Sequence, residues 1–212
     1  MFYSQEPDSA LRFGDVISGF VSSIPRMNDL ATNQKHPDYQ LDLSMPEFCV
    51  VLSPCCSIGD STLTLAPLQI VINSFFKNPY FVEDLTRMNR PVPPELSVSP
   101  ADWQQFSEDD RQNRLKEESA YVNIEYFVYA EHEILPRYKV TLRKIEYETG
   151  CYMIDFRKCF RVICHRVRSA NDSPIEAKYL QLTVEARQDL RMKISKYYSR
   201  PPQEDLALLQ AT

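Results

Sequence analysis

Glycine is scarce in this chain: Gly14, Gly19, Gly59 and Gly150 are the only four in 212 residues. A phosphate-cradling loop needs several glycines close together, so neither a P-loop nor a dinucleotide-binding fingerprint is present. Histidine is scarcer still, with His36, His132 and His165 alone. No two of the six cysteines stand in the C-x-x-C spacing of a zinc knuckle. No run of 18 apolar residues occurs, so no hydrophobic segment is long enough to span a bilayer as a helix, and we expect no membrane contact. The first residues, Met1–Asp8, carry acids and lack a basic start followed by an apolar stretch, so we expect no secretory leader. The expected setting is then a reducing, cytoplasmic one in which the cysteines are thiols. No catalytic constellation emerges from what remains, and no cofactor is implied.

What the chain does contain is an ordinary globular balance, 43% hydrophobic and 25% charged residues. Its net charge of -5 hides a gradient. Residues 1–100 hold 6 basic and 11 acidic side chains, and residues 151–212 hold 11 and 7. From Arg157 to Arg200 there are 11 basic residues against 4 acidic ones. A basic segment of this kind can face phosphate or an acidic protein partner, or pack beside the chain's own acidic body.

Patterning predicts an α+β protein. Residues 1–10 read as a flexible tail. Leu11–Val21 is rich in β-formers, with a bend allowed at Gly14-Asp15. Residues 22–46 read as a long irregular loop carrying Pro25, Pro37 and Pro46. Phe48–Leu52 is a short apolar run, the mark of a central strand buried on both faces, and Ser53–Ser57 turns the chain. Thr62–Ala66 alternates as a strand. Pro79, Pro91, Pro93, Pro94 and Pro100 mark residues 77–120 as a proline-rich and helical insertion. Helix starts are expected at Ser99-Pro100 and at Ser107, whose Glu108, Asp109 and Asp110 suit the first turn. Tyr126–Tyr129 centres another strand, and Tyr138–Tyr147 with Cys151–Arg157 reads as a hairpin closed by a positive φ at Gly150. After a strand at Phe160–Val167 and a turn at Asn171–Pro174, Thr183 caps a helix over Val184–Tyr198. Leu190, Ile194, Tyr197 and Tyr198 share its apolar face. The sum is a single domain over 11–212: a small curled antiparallel sheet or SH3-like barrel with a helical insertion and a C-terminal helix.

Two resemblances follow from these motifs. The segments Arg12–Ile17 (RFGDVI), Cys49–Pro54 (CVVLSP) and Leu63–Pro67 (LTLAP) resemble the core strands of PemK/MazF-like toxins, which are SH3-like barrels that cleave RNA. That family's arginine before the strand and its threonine or serine after it have no counterpart here. Pro46-Glu47-Phe48 and Leu68-Gln69 stand at those places, so the resemblance implies a barrel shape and no catalytic residue. The segments Val50–Ser57 (VVLSPCCS), Ile154–Arg157 (IDFR) and Leu182–Arg187 (LTVEAR) resemble bacterial proteins with a "vVLSPtCD" strand-turn. This resemblance implies an accessory component of toxin–antitoxin or anti-phage defence neighbourhoods.

Candidate chemistry is limited. Cys55 and Cys56 in the turn could meet Cys159, Cys164 or His165 at a zinc site, or either could act as a nucleophile given a histidine base. The competing reading is that these cysteines are small buried hydrophobes. Glu131-His132-Glu133 reads as a strand segment with both glutamates on one face. Arg157, Lys158 and Arg161, with Arg187, Arg191, Lys193 and Lys196, interleave with aromatic residues as in single-strand nucleic-acid binders. The competing reading has the rings in the core and the basic stems lying over them. The expected function is a non-enzymatic protein-interaction module of a bacterial stress or antiviral defence system, with a protein partner, an acidic one being suited to the basic segment. The alternatives are a MazF-like nucleic-acid-binding barrel and a thiol- or zinc-dependent activity at Cys55 and Cys56.

Overall fold

The computed structural model describes residues 1–18, 20–27, 39–58, 61–77, 81, 84–90, 103, 105–116, 124–142, 144–163, 165, 169, 171 and 178–199. In chain order the strands β1 (Val16–Ser18), β2 (Ser22–Met27), β3 (Tyr39–Ser44), β4 (Phe48–Val51), β5 (Thr62–Pro67) and β6 (Gln69–Ile70) come first. Helix α1 (Glu108–Lys116) precedes β7 (Tyr126–Tyr129), β8 (Tyr138–Leu142), β9 (Ile145–Thr149) and β10 (Tyr152–Asp155). Strands β11 (Phe160–Ile163) and β12 (Lys178–Leu180) lead to helix α2 (Val184–Tyr198). The class is mixed α and β, with several small antiparallel sheets and a C-terminal helix, as the patterning implies. No described helix is long and apolar enough to cross a membrane. The helix start at Ser99-Pro100, much of the 77–120 insertion and most of the Asn171–Pro174 turn lie outside the described residues.

Contacts divide the chain into two compact units, where the sequence reads as one domain. The first combines Met1–Phe2, Ile70–Arg157 and the described residues from Thr183 onward; the second combines Tyr3–Gln69 and Lys158–Leu182.

The second unit is built on a five-stranded sheet of order β11-β5-β4-β1-β12. All four residues of β4 are buried, which is why its run carries no polar side chain. It pairs antiparallel with β1 (Val16↔Val50) and with β5 (Val50↔Ala66). Gly14 enters β1 at φ 89, a conformation a side chain would strain, and its N–H reaches Val51 O at 2.7 Å. The pairing of β1 with β12 shifts register between Val16 and Ile17, close to the bend the glycine suggests. The first ten residues are not loose here. Tyr3 is buried and bridges to Leu182, Ser4 N donates to Gln181 O at 2.8 Å, and Asp8 N donates to Gln181 Oε1 at 3.0 Å. Their backbone groups find strand-like partners that no local pattern announces.

The expected loop at 22–46 is a hairpin over its described residues. Strands β2 and β3 pair from Ser22↔Ser44 to Met27↔Tyr39. Pro25 hides this strand from sequence reading, yet proline is tolerated where an edge leaves its missing donor unneeded.

In the first unit β10 pairs with β7, from Tyr152↔Tyr129 to Asp155↔Tyr126. The hairpin expected across Gly150 lies earlier: β8 turns into β9 with Leu142 opposite Ile145. Lys144 takes the left-handed conformation, φ 70, and Gly150 does not. The hairpin therefore closes without glycine. At the other end of β9, Glu131 takes the Gly150 N–H at 2.9 Å and the Thr149 hydroxyl at 3.0 Å, fixing the step into β10. The core holds Phe75, Phe76, Phe81, Met88, Val128 and Met153 among others. Helix α2 begins where its cap predicts, with Thr183 Oγ1 accepting from Ala186 N at 3.3 Å. Helix α1 is capped in the same way by Ser107, which accepts from Asp110 N at 3.2 Å.

One side chain finishes an edge of the sheet. Asn89, buried at the end of the 3-10 turn Leu85–Asn89, donates through Nδ2 to Val128 O and accepts Val128 N–H on Oδ1 at 2.7 Å. Its amide stands in for a neighbouring strand beside β7. Asn89→Leu should leave both Val128 backbone groups buried and unmatched, costing about 2–4 kcal/mol in urea denaturation.

Candidate functional site

The Ser53–Ser57 turn is first a piece of sheet carpentry. Ser53 Oγ accepts Thr64 N–H at 2.8 Å while Leu52 N donates to Thr64 O at 2.8 Å, so the β4–β5 ladder runs one step past β4. Pro54 leads a single 3-10 turn, Cys55–Ser57, closed by Ser57 N to Pro54 O at 2.8 Å. Cys55 is half-buried and Cys56 is exposed. No histidine attends them among the described contacts. The Arg12 guanidinium, paired with Asp8 at 3.1 Å, also reaches the Cys55 sulfur. This cation is an arginine far from the turn in the chain, so no local histidine motif signals it.

Cys159 is half-buried, His165 is exposed, and Cys164 and His36 lie outside the described residues. No three His, Cys, Asp or Glu side chains converge on a metal position among the described residues. Cys49 and Cys151 are buried, and burial pushes both thiols up from their ordinary pKa. A short iodoacetamide pulse should therefore label Cys56 in the native protein and reach Cys49 and Cys151 only after unfolding, as read by peptide mass mapping.

The basic candidates do not behave as a group. Arg157 grips Asp155 with Nε and Nη2, both at 2.9 Å. Its Nη1 lies 3.4 Å from Glu125, Nη2 donates to the Tyr126 hydroxyl, and the guanidinium carbon sits 5.1 Å from the Tyr126 ring centre. Hydrogen bonding to Asp155, against the opposing effect of burial, holds Arg157 firmly charged. The Ile154–Arg157 motif is thus an internal clamp: Asp155 is buried and its charge needs a partner. The Arg157 side chain keeps 48% of its surface exposed while making these contacts. Lys193, unlike the other basic candidates, is buried. Of the others on α2, Arg191 is exposed while Arg187 and Lys196 are half-buried. Lys158 donates to Gln69 at 3.0 Å and Arg161 to Thr62 at 3.2 Å; both belong to the second unit.

Glu131-His132-Glu133 is a turn, not a strand: Leu135 N donates to His132 O at 3.0 Å and Ile134 N to His132 Nδ1 at 3.2 Å. An open cavity of about 470 Å³ in the first unit is lined by Asp84, Glu131, Glu146 and Glu148 beside the stacked rings of Phe76 and Tyr147. Its carboxylates are already matched from within. Arg137 serves Glu131 and Glu148 at 2.9 and 3.4 Å, Lys139 serves Glu146 at 3.2 Å, and Arg87 lies 3.8 Å from Asp84.

The feature without internal explanation is on the β2–β3 hairpin. Leu41 is 56% exposed, Leu43 66%, Met45 81% and Val21 55%. Leu41 and Leu43 alternate along β3 and so share one face, while Met45 follows directly on β3 and Val21 directly precedes β2. Ser22 looks the other way. It is only 5% exposed, and its hydroxyl meets that of Ser44 at 2.6 Å. A sheet packed on one side normally turns its apolar residues in and its polar ones out. On β3, Leu41 and Leu43 are turned outward instead. The alternation Leu41-Asp42-Leu43-Ser44 is this strand's signal in the sequence, masked by the prolines of the 22–46 stretch.

Comparison with known proteins finds no relative: no family model, no curated protein and no solved structure matches the chain.

Proposed function

We propose that this protein is a non-enzymatic interaction module that presents the outer face of the β2–β3 hairpin to a protein partner. The single observation behind this reading is the β2–β3 hairpin, where Leu41 and Leu43 stand exposed on one face of β3 with exposed Met45 and Val21 at the adjoining strand ends. Isolated exposed hydrophobes are common on protein surfaces, but contiguous ones rimmed by polar residues mark contact sites. Covering a side chain of this size contributes on the order of 1–3 kcal/mol, so four of them supply a usable anchor. The setting, a cytoplasmic accessory component of a bacterial stress or anti-phage defence system, rests on the resemblance of the Val50–Ser57 strand-turn and its companion motifs. The test is a quantitative pull-down from the native host with wild-type and L41D/L43D baits. The variant should fold with an unchanged melting temperature and lose at least tenfold of the specifically captured partner. Undiminished capture would discard the hairpin as the contact site.

A second reading keeps the MazF-type barrel. The five-stranded antiparallel sheet of the second unit has the strand number of a small barrel, and Arg161 is exposed on its outer strand β11. Barrel closure would join β11 to β12, which stand at the two edges of that sheet. On this reading single-stranded RNA should bind with an affinity that falls steeply between 50 and 200 mM salt, as phosphate contacts require, and Arg161→Ala should flatten that dependence. Absence of RNA binding at about 50 mM salt removes this reading and leaves the protein-binding one standing.

A further inference from the structure

Lys193 is one of the basic residues that the sequence offers to an outside partner, yet it points inward. It is 5% exposed, on the stripe that also carries buried Ala186 and Leu190. Its Nζ donates to the carbonyl oxygen of Met88 in the 3-10 turn Leu85–Asn89. The next residue, Asn89, holds both backbone groups of Val128. A polar string therefore runs from α2 through the 3-10 turn to β7, in the unit whose hydrophobic core holds Phe75, Phe76, Met88, Val128 and Met153.

The surroundings of Lys193 suit an amine better than an ammonium. An ammonium brings three donors and a full charge, and Met88 supplies one neutral acceptor. The carboxylate that acts on it is Asp189, one turn earlier on α2 and half-buried, whose own pKa burial raises against the pull of Lys193. On the 3-10 turn, Arg87 lies beside Asp84 and Arg90 is exposed. Strand β7 carries no charged residue. Burial, opposed by the field of Asp189, brings the Lys193 amine down to about 7.

We propose that Lys193 is a proton-operated latch: α2 is held on the Leu85–Asn89 turn when the amine is neutral and loosens when the amine takes up a proton. The sign follows from linkage. The docked pKa lies below the value of 10.5 that Lys193 regains on release. Between about 7 and 10.5 the docked state has shed a proton that the released helix keeps. Docking is therefore favoured as pH rises through that window, and its penalty is complete below about 7. One linked proton makes the opening constant rise about tenfold for each unit that pH falls inside the window, then level off.

The test joins two measurements on the full chain. The first is an NMR titration of ¹⁵N-labelled lysine side chains. The second is hydrogen exchange of α2 and β7 peptides at pH 6–9, corrected for intrinsic exchange. One amine should titrate near 7 and vanish in Lys193→Met. The α2 opening constant should be about tenfold larger at pH 7.5 than at pH 8.5, with β7 protection little changed, and Lys193→Met should remove that dependence. If Lys193→Met does not fold, the wild-type profiles decide. All lysines titrating near 10, or β7 losing protection in step with α2, would overturn the latch.

Discussion

Strand β4 imposes the condition around which the second unit is arranged. Its four residues are buried, and none brings a polar side chain. Each backbone N–H and C=O must therefore find a partner in a flanking strand, since water is excluded and an unmatched group is costly. The flanking strands are β1 and β5, and the turn that follows β4 adds Ser53 to continue the pairing with Thr64. Gly14 and the bend at Val16 exist to bring β1 alongside. The Ser-Pro-Cys-Cys motif is a consequence of this demand before it is anything chemical.

The same rule governs the buried polar groups, and each is met differently. Asp15 is fully buried beside Lys178, whose Nζ lies 2.8 Å away and also reaches the Ala10 carbonyl and Gln181 at 2.7 Å. Asp155 is buried under Arg157 from two residues along. Asn89 satisfies a strand edge. Lys193 has one carbonyl and a half-buried carboxylate a turn away, the least complete compensation of the four. A buried charge whose partner is removed is strongly destabilising, so of these four groups Lys193 is the one on which the proposed latch can act.

What could be read from sequence followed the strength of local pattern. The apolar run of β4 and the capped periodicity of α2 were legible, down to the ends of the helix. The β2–β3 hairpin was not, because Pro25 argues against a strand and its apolar alternation faces outward. Gly150 drew the turn that Lys144 makes, since a left-handed lysine leaves no mark in composition. Arg157 looked like a free basic group because its partner Asp155 is on the same strand end, where alternation suggests that they share a face without saying that they bond. Lys193 groups by chemistry with Arg187, Arg191 and Lys196, although the steps Ala186, Leu190, Lys193 and Tyr197 keep helical spacing. The ring of Tyr197 packs 5.6 Å from that of Phe156, so the stripe is real and the lysine belongs to it.

Because each unit draws on separated segments, the order of synthesis matters. When β5 leaves the ribosome, β4 already has both neighbours, but the outer edges of β5 and β1 have none. Their partners β11 and β12 begin at Phe160 and Lys178, with the bulk of the other unit translated between. At ~5–20 residues per second, β5 waits on the order of 5–20 s and β1 somewhat longer. For that interval the nascent chain presents two bare strand edges and the apolar hairpin together, a surface that invites pairing with other chains. Crowded polysomes, more than the finished protein, are where this sequence would meet its aggregation risk.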